Sequence, residues 1–332
     1  MILQFSFLWR HLHENVNPKS GRLYKSFGLA NWLSLIRGAL VAFMAGFLVG
    51  LPPVQGLVWA PGTLYILANI MDFLDGYAAR SLGQSTPLGE VLDMSLDGTG
   101  VLVGALLAWR FDQAPLWFVL VGLARFLFLF GGWMRKRLRK PIFPLSDNPY
   151  RRALAGSQML FIGIILLPIY PPTVARWAAT FFMLPFLAGF FRDWLVFSGQ
   201  ISEKSGPDLI FWKKLIKGGS DWVSLFLRIF LIATLTWVVI AVSLPFQSGL
   251  VWVGMALINS FLLFGLVSRG IAVVLMMVSG YLAGLEPVRL EYWVIFFVSM
   301  ALFFIGSGRF SKWSPEDHLI FQRAGKRRTG EG

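Results

Sequence analysis

The chain contains no cysteine and only three histidines. The absence of cysteine excludes disulfide bonds, thiolate zinc sites and cysteine nucleophiles. The three histidines, His11, His13 and His318, lie near the ends of the chain. A histidine-based triad or a multi-histidine metal site in the middle of the chain is therefore not expected. Any chemistry must depend on carboxylates and basic groups.

Charged residues are also scarce, and apolar residues are in excess. Only 14% of the 332 residues are charged and 56% are hydrophobic, whereas soluble domains are about 25% charged and about 45–50% apolar. This composition predicts an all-α integral membrane protein. We interpret the net charge of +13 as cytoplasmic lysine and arginine close to anionic lipid headgroups, and not as a sign of nucleic-acid binding.

Apolar stretches of a length suited to membrane-spanning helices follow one another along the chain. The longest polar break, residues 198–222, separates six of them from about four others. We therefore expect a six-helix transmembrane domain at 1–200, a cytoplasmic linker at 201–221 and a further four-helix membrane domain with a basic tail at 222–332. A short interfacial helix is expected near residues 5–10. The predicted spans are 33–52, 57–75, 89–109, 115–133, 153–170, 176–196, 223–245, 250–267, 270–285 and 289–306.

The orientation of these helices follows from the distribution of lysine and arginine, which accumulate in cytoplasmic loops. One set of loops is strongly basic, while residues 51–55 and 245–249 carry no charge. Both termini are therefore predicted to be cytoplasmic, in the inner or plasma membrane of a bacterium. The basic set comprises Arg10, Lys19, Arg22, Lys25, Arg135, Lys136, Arg137, Arg139, Lys140, Arg151, Arg152, Lys204, Lys213, Lys214, Lys217, Lys326, Arg327 and Arg328.

Four acids flank the connection between the second and third predicted helices. Asp72 and Asp75 are expected to close the second helix, and Asp93 and Asp97 to open the third. Residues three or four apart share one face of a helix, and the predicted connection, residues 76–88, is short. We therefore expect the four carboxylates to meet at the cytoplasmic membrane surface. A single acid at such a position could equally be a helix cap.

Carboxylates this close to one another require compensating positive charge. A site of oxygen ligands favours a hard cation, Mg²⁺ or Mn²⁺ before Ca²⁺, and two such ions would suit phosphoryl transfer. Gly76 and Gly89 would leave room for a nucleotide or a pyrophosphate, and Arg80 is placed to clamp a phosphate.

The same residues form a recognisable string. It resembles the complete signature of the CDP-alcohol phosphotransferase family, and reads Asp72-x2-Asp75-Gly76-x2-Ala79-Arg80-x8-Gly89-x3-Asp93-x3-Asp97. The stretch 31–37 also looks like the family's entry to the first helix. The resemblance covers about residues 1–200. It implies an enzyme that transfers a phosphatidyl or similar group from a CDP-linked lipid donor, such as CDP-diacylglycerol, to the hydroxyl of an alcohol and releases CMP.

The resemblance also implies a role for each matching residue. The metals would be held by Asp72, Asp75, Asp93 and Asp97, and Asp97 would also act as the general base on the acceptor hydroxyl. Homodimerisation is implied by the resemblance alone. The CDP moiety would be bound by Gly76, Ala79, Arg80 and Gly89.

The acceptor alcohol is less well defined by the sequence. The basic loop 135–152 and the cytoplasmic end of the sixth helix suggest an anionic acceptor, such as glycerol 3-phosphate or inositol phosphate, bound by Arg151, Arg152 and Arg192. The run 135–140 could instead contact anionic lipid. Arg192 could form an ion pair with Asp193, with a role in packing alone.

The C-terminal stretch weakly resembles the DoxX-like membrane proteins through the motif Gly306-Ser-Gly-Arg309-Phe-Ser311. Arg228 and Asn259 lie inside two of its predicted helices. Arg228 is expected to snorkel to the cytoplasmic surface, and Asn259 to form a hydrogen bond between helices.

Two further function classes remain open on the sequence. A transporter could bind a cation in transit at the four acids, but the second predicted helix offers no polar path beyond Asp72. A non-catalytic membrane scaffold would have no need of four costly intramembrane carboxylates.

Overall fold

The computed structural model describes residues 2–16, 21–24, 26–50, 56–82, 85–145, 149–201, 220–241, 249–308 and 310–314. Within these ranges the protein is all-α, as predicted, with α-helices, two short 3₁₀ helices (Leu12–Glu14 and Leu116–Phe118) and no β-strand. Most of the predicted linker and the basic tail from Lys326 to Arg328 lie outside the described residues.

The described residues group into two compact units, one up to Gly199 and one from Gln200 onward. The first unit contains α1 (Ile2–His11), α2 (Leu29–Gly46), α3 (Ala60–Ser81), α4 (Pro87–Arg110), α5 (Val119–Arg137), α6 (Pro149–Ile165) and α7 (Pro172–Phe197). The second contains α8 (Ser220–Ala241), α9 (Gly249–Phe264), α10 (Ser268–Leu285) and α11 (Leu290–Ile305).

Six helical segments in the described part of the chain are long and apolar enough to cross a membrane. They correspond to α2, α4, α5 with the 3₁₀ turn before it, α7, α8 and α10. The protein is thus an integral membrane protein. α3 carries Asp72, Asp75 and Arg80, and α6 has only 17 residues, so neither belongs to this set.

The boundaries of the acid-bearing helices differ from the prediction. Asp75 does not close its helix, because α3 continues through Gly76, Ala79 and Arg80 to Ser81. The glycine and alanine residues after Asp75 can be accommodated in a helix, and no proline interrupts the chain before Pro87. The connection to α4 is therefore confined to residues 82–86, and Arg80 lies on a helix and not in a loop.

The start of α4 is fixed by local chemistry. Thr86 is the N-cap and its hydroxyl accepts a hydrogen bond from the Gly89 amide at 3.0 Å. Pro87 occupies the first helical position, where its missing N–H costs nothing. This cap sets the helical phase that places Asp93 and Asp97 on the side facing α2.

Small residues let α4 lie at the centre of the first unit. It contacts α2, α3, α5 and α6. A Cβ added at Gly122 of α5 would lie 2.6 Å from the Cα of Leu102, and one added at Gly104 would lie 2.7 Å from the ring of Tyr65. Close helix approach through glycine is typical of membrane bundles.

The predicted interfacial segment is helical, as α1. Leu8 packs in a buried cluster with Leu88 and Leu92 from the start of α4. Its position at the membrane interface stays a prediction.

In the second unit, Asn259 confirms one expectation, because its side-chain amide donates to the Thr236 hydroxyl at 3.3 Å between α9 and α8. The expectation that Arg228 snorkels is wrong. Its side chain is fully buried and contacts the backbone carbonyls of Ser224 and Leu262.

Candidate active site

One face of α2 provides the floor of the site. Asn31, Ser34 and Arg37 follow one another at intervals of three residues and are all buried, with exposures of about 3%. Residues at this spacing project from the same side of a helix. The polar face of α2 is therefore turned towards α3 and α4, with which α2 makes contact.

Arg37 lies at the centre of the four acids. Its Nη1 donates to Asp72 and, at 2.9 Å, to Oδ1 of Asp93, and its Nη2 donates to Oδ1 of Asp97 at 2.5 Å. Asp75 Oδ2 lies 3.7 Å from the same Nη1. The predicted convergence of two acids from α3 with two from α4 is therefore present, and one guanidinium group contacts all four.

The four carboxylates differ in accessibility. Asp75 is buried and accepts a 2.8 Å hydrogen bond from the Ser34 hydroxyl at its Oδ2. The side chains of Asp72, Asp93 and Asp97 keep 34%, 46% and 33% of their surface exposed. A ligand outside the bundle can thus reach three of the four acids. Asp75 is buried and is held by its hydrogen bond from Ser34.

The chemistry of this group fits a divalent metal. One carboxylate oxygen each from Asp72, Asp75 and Asp93 lies within 4.8 Å of the others. Oxygen ligands of this kind suit Mg²⁺ or Mn²⁺. Asp97 is not part of that closest set, although it shares Arg37 with the other three acids. A cation bound by the three would face the positive charge of Arg37.

A second arginine approaches the acids from α5. The side chain of Arg125 crosses Gly98, where an added Cβ would lie 2.6 Å from its Cδ, and its charge acts on the neighbouring Asp97. Four carboxylates with Arg37 and Arg125 leave a formal charge of −2, which favours the binding of divalent cations.

The residues expected to bind CDP lie on α3 and at the start of α4, the two helices that carry the acids. Arg80 lies back along its own helix over Gly76, where an added Cβ would be 3.0 Å from Nη1. An added Cβ at Gly89 would be 3.1 Å from Oδ1 of Asn31. Both glycines therefore leave space beside polar groups, which a side chain would fill. Ala79, near the C-terminal end of α3, is partly buried.

The predicted acceptor arginines lie on α6 and α7. Arg151 makes the main contact with Asp193, with Nε 2.6 Å from Oδ2, whereas Nη1 of Arg192 is 3.7 Å from Oδ1. The ion pair expected within α7 is thus chiefly a pair between α6 and α7. Arg152 is partly buried, and 38% of the Arg192 side chain is exposed.

Sequence reasoning missed the parts played by Ser34, Arg37 and Arg125. From the sequence, Arg37 is recognisable only as the end of the family-like stretch 31–37. An available signal was that an arginine inside an apolar helix is as costly as an acid there and requires a partner. The cost of a buried arginine does not identify its partner, because Arg37 and Asp97 are 60 residues apart in sequence.

Comparisons with known proteins agree with this geometry. Residues 27–188 match the family model described as CDP-alcohol phosphatidyltransferase. The chain is 29% identical over 174 residues to a CDP-diacylglycerol–glycerol-3-phosphate 3-phosphatidyltransferase of Bacillus subtilis, which covers 47% of this chain and 89% of the relative. A protein of that description from Pseudomonas fluorescens is 27% identical, over 50% of this chain and 85% of the relative.

A third relative is a bifunctional IPC transferase and DIPP synthase of Thermococcus kodakarensis, 26% identical over 55% of this chain and 42% of the relative. No solved structure matches the chain. The family match lies entirely within the first unit and includes all four acids, Ser34 and Arg37. Through that unit, the chain belongs to the CDP-alcohol phosphatidyltransferase family.

Proposed function

We propose that the first unit transfers a phosphatidyl group from CDP-diacylglycerol to glycerol 3-phosphate and releases CMP. Inositol phosphate is the alternative acceptor of the same chemical class. The observation that carries the proposal is the convergence of Asp72, Asp75, Asp93 and Asp97 around Arg37. The names of two family relatives, which describe glycerol-3-phosphate phosphatidyltransferases, support the choice of acceptor.

The reaction forms one bond and breaks one. The acceptor hydroxyl oxygen attacks the phosphorus that carries the diacylglycerol, the bond from that phosphorus to the oxygen of CMP breaks, and the hydroxyl proton must be removed. Asp97 is the proposed base, because its carboxylate is partly exposed and stands outside the closest metal-binding set. A positioned base typically contributes about 10²–10⁴-fold to the rate.

The remaining acids would hold the metal. Asp72, Asp75 and Asp93 would bind Mg²⁺ or Mn²⁺, with two ions expected when Asp97 also contributes. The cation would neutralise the pyrophosphate charge. Ser34 fixes the orientation of Asp75 by donating to its Oδ2, and Arg37 holds the other carboxylates together.

The substrates would be placed by basic and small residues. Gly76, Ala79, Arg80 and Gly89 would accommodate the CDP moiety. Arg152 and Arg192 would contact the phosphate of the acceptor, since guanidinium groups bind phosphate through paired hydrogen bonds. Arg151 is already engaged by Asp193, so we assign it the role of holding α6 against α7 at this position.

The test is CMP release by the purified full-length protein from CDP-diacylglycerol and Mg²⁺ or Mn²⁺, with glycerol 3-phosphate, inositol phosphate, inositol and serine as acceptors. Release should require the metal and glycerol 3-phosphate, and Asp97→Asn should reduce it at least about 10³-fold. Glu90→Gln, an exposed acid on the same helix, is the matched control and should retain activity. Release with inositol phosphate alone would replace the acceptor, and release with none of the four from folded protein would refute the proposal.

We also propose that the site faces the cytoplasm of a bacterial inner membrane, with both termini on that side, and that the protein forms a homodimer. The absence of cysteine makes the orientation simple to test. Glu90→Cys places a thiol in the first turn of α4, and Gln113→Cys places one three residues beyond its C-terminal end. A membrane-impermeant maleimide added to intact cells should label only the Gln113→Cys protein, and the reverse pattern would invert the orientation. A native mass equal to one chain would refute the dimer.

The domain plan stays a proposal in the same way. A phosphatidyltransferase domain at 1–200, a linker at 201–221 and a DoxX-like domain at 222–332 agree with the two compact units. The DoxX-like motif itself includes Arg309, which lies outside the described residues. Limited proteolysis should cut first within 201–221, and first cleavage elsewhere would contradict the plan.

A further inference from the structure

The second unit contains a buried arginine, Arg228, with no acid beside it among the side chains that the structure describes. Arg228 lies about two turns into α8 and has no exposed surface. Its Nε and Nη1 approach the carbonyl oxygens of Ser224 and Leu262 at 3.4 and 3.5 Å. Its Nη2 has no hydrogen-bond partner, and no carboxylate whose side chain the structure describes forms an ion pair with it.

The described side chains around Arg228 add further hydrogen-bond donors. Its Nη1 lies against Gly265, where an added Cβ would be 2.2 Å away. Three residues later α10 begins, and its N-cap, Val267, provides no side-chain cap. The hydroxyl of Ser268, at the first position of α10, is fully buried and also lacks a partner. The first N–H groups of a helix are unsatisfied within the helix and attract anions.

A second cation lies at the same end of the unit. Arg269 donates from Nη1 to the carbonyl of Phe303 at 3.0 Å, and an added Cβ at Gly306 would be 2.5 Å from its Nη2. Two arginines are thus directed into the region where α9 and α11 end and α10 begins.

This end of the unit is closed by the chain that follows α11. The Lys312 amide donates to the Phe264 carbonyl and the Val267 amide to the Trp313 carbonyl, each at 3.0 Å. The Ser311 hydroxyl donates to the Gly265 carbonyl at 2.5 Å. The closing segment, Ser311 to Trp313, therefore separates Arg228 from solvent.

An enclosed arginine of this kind is costly. A guanidinium group stays protonated, and a buried charge without a counter-charge costs several kcal/mol. Two long contacts to carbonyl oxygens offset only part of this cost. An anion with several acceptor oxygens would suit these donors, because they come from α8 and from the start of α10.

We propose that Arg228 Nη2, the Ser268 hydroxyl and the first amides of α10 form a binding site for a phosphate group. The phosphate could be that of an anionic lipid headgroup or free phosphate, and the two share the same chemistry. The site belongs to the second unit and is separate from the proposed transferase chemistry.

The test counts bound ligands by native mass spectrometry of the delipidated full-length protein. The probes are dihexanoyl phosphatidic acid and inorganic phosphate, with dihexanoylglycerol as the phosphate-free control. Since the first unit also carries the arginines that we propose to bind phosphate, two variants are compared. Arg228→Met removes the charge in the proposed site. Arg289→Met removes a charge at the other end of the same unit, where Arg289 is exposed and paired with Glu286.

We expect the wild type and Arg289→Met to retain one more phosphate-bearing ligand than Arg228→Met, with at least about ten-fold weaker binding in the latter. Extra binding of phosphatidic acid alone identifies a lipid site, and extra binding of both probes identifies a site open to free phosphate. Equal occupancy in both variants, or binding of dihexanoylglycerol at the site, would overturn the proposal.

A second pair of variants covers the case in which Arg228→Met does not fold. Ser268→Ala removes one proposed donor and should weaken the additional binding several-fold. Ser260→Ala removes an exposed hydroxyl of α9 that bonds only to its own helix and should leave binding unchanged. Identical binding by these two variants would also count against the site.

Discussion

Two buried arginines, one in each unit, have opposite surroundings. Arg37 contacts four carboxylates, whereas the hydrogen bonds of Arg228 to described residues go to backbone carbonyls. Both are almost completely buried, at 3% and 0% exposure. The comparison shows that burial alone does not determine what an intramembrane arginine does. With an excess of acids the arginine leaves a site that attracts cations, and without acids it leaves a site that attracts anions.

The largest expected difference is in stability without metal. In the presence of a chelator, Arg37→Met should lower the free energy of unfolding by about 3 kcal/mol, because four acids lose their common partner. Arg228→Met should be neutral or stabilising in delipidated protein, since an apolar side chain replaces an uncompensated charge. Equilibrium unfolding in mixed micelles measures both. Equal destabilisation by the two variants would remove the distinction between the arginines.

The second largest effect is expected on metal binding, when the Ser34 hydroxyl that donates to Asp75 is removed. Ser34→Ala should weaken Mn²⁺ binding by about 10–100-fold, because the hydrogen bond that orients Asp75 is lost. Ser224→Ala is the matched control, since the Ser224 hydroxyl donates to the Gly306 carbonyl in the second unit. Electron paramagnetic resonance of free Mn²⁺ gives both affinities. Unchanged binding in Ser34→Ala would exclude Asp75 as a metal ligand oriented in this way.

Arg37 should oppose the metal electrostatically. Arg37→Met should tighten Mn²⁺ binding about ten-fold, or about 1.4 kcal/mol, because the guanidinium group contacts the same carboxylates that would hold the ion. Added Mn²⁺ should also restore much of the stability lost in this variant. Weaker Mn²⁺ binding would mean that Arg37 assembles the metal site more than it competes with the ion.

The smallest effect is expected at the pair between α6 and α7. Asp193→Asn should cost about 1 kcal/mol of stability, because the Arg151 side chain is 35% exposed and can turn to water. Asp112→Asn breaks the more exposed pair with Arg176 and should cost less. The order of the two unfolding midpoints tests this. A larger loss of stability in Asp112→Asn than in Asp193→Asn would show that the ion pair between Arg151 and Asp193 does not stabilise the contact of α6 with α7.

The acids of the first unit could be predicted from sequence because their arrangement is local. When two pairs of acids lie near the facing ends of consecutive helices, a short connection between the helices brings the pairs close together. The spacing fixed their faces but not the end of the helix, and α3 extends to Ser81 because nothing before Pro87 interrupts it.

The arginine partners could not be predicted because they depend on how distant helices cross. The contact of Arg37 with the acids requires the packing of α2 on α4, and that of Arg151 with Asp193 joins residues 42 positions apart. The burial of Arg228 depends on a segment more than 80 residues further along the chain. The sequence favours snorkelling for Arg228, because it does not show that the closing segment folds back towards this side chain.

In the second unit, the start of α8 lies close to the segment that follows α11. The Ser224 hydroxyl reaches the Gly306 carbonyl at 2.7 Å, and the rings of Trp222 and Phe310 are 5.1 Å apart. An even number of helices returns the chain to its starting point, and neighbouring termini are the property that lets a domain be inserted elsewhere or circularly permuted. In evolutionary terms, such a unit can be joined to an existing gene without altering the path of the host chain.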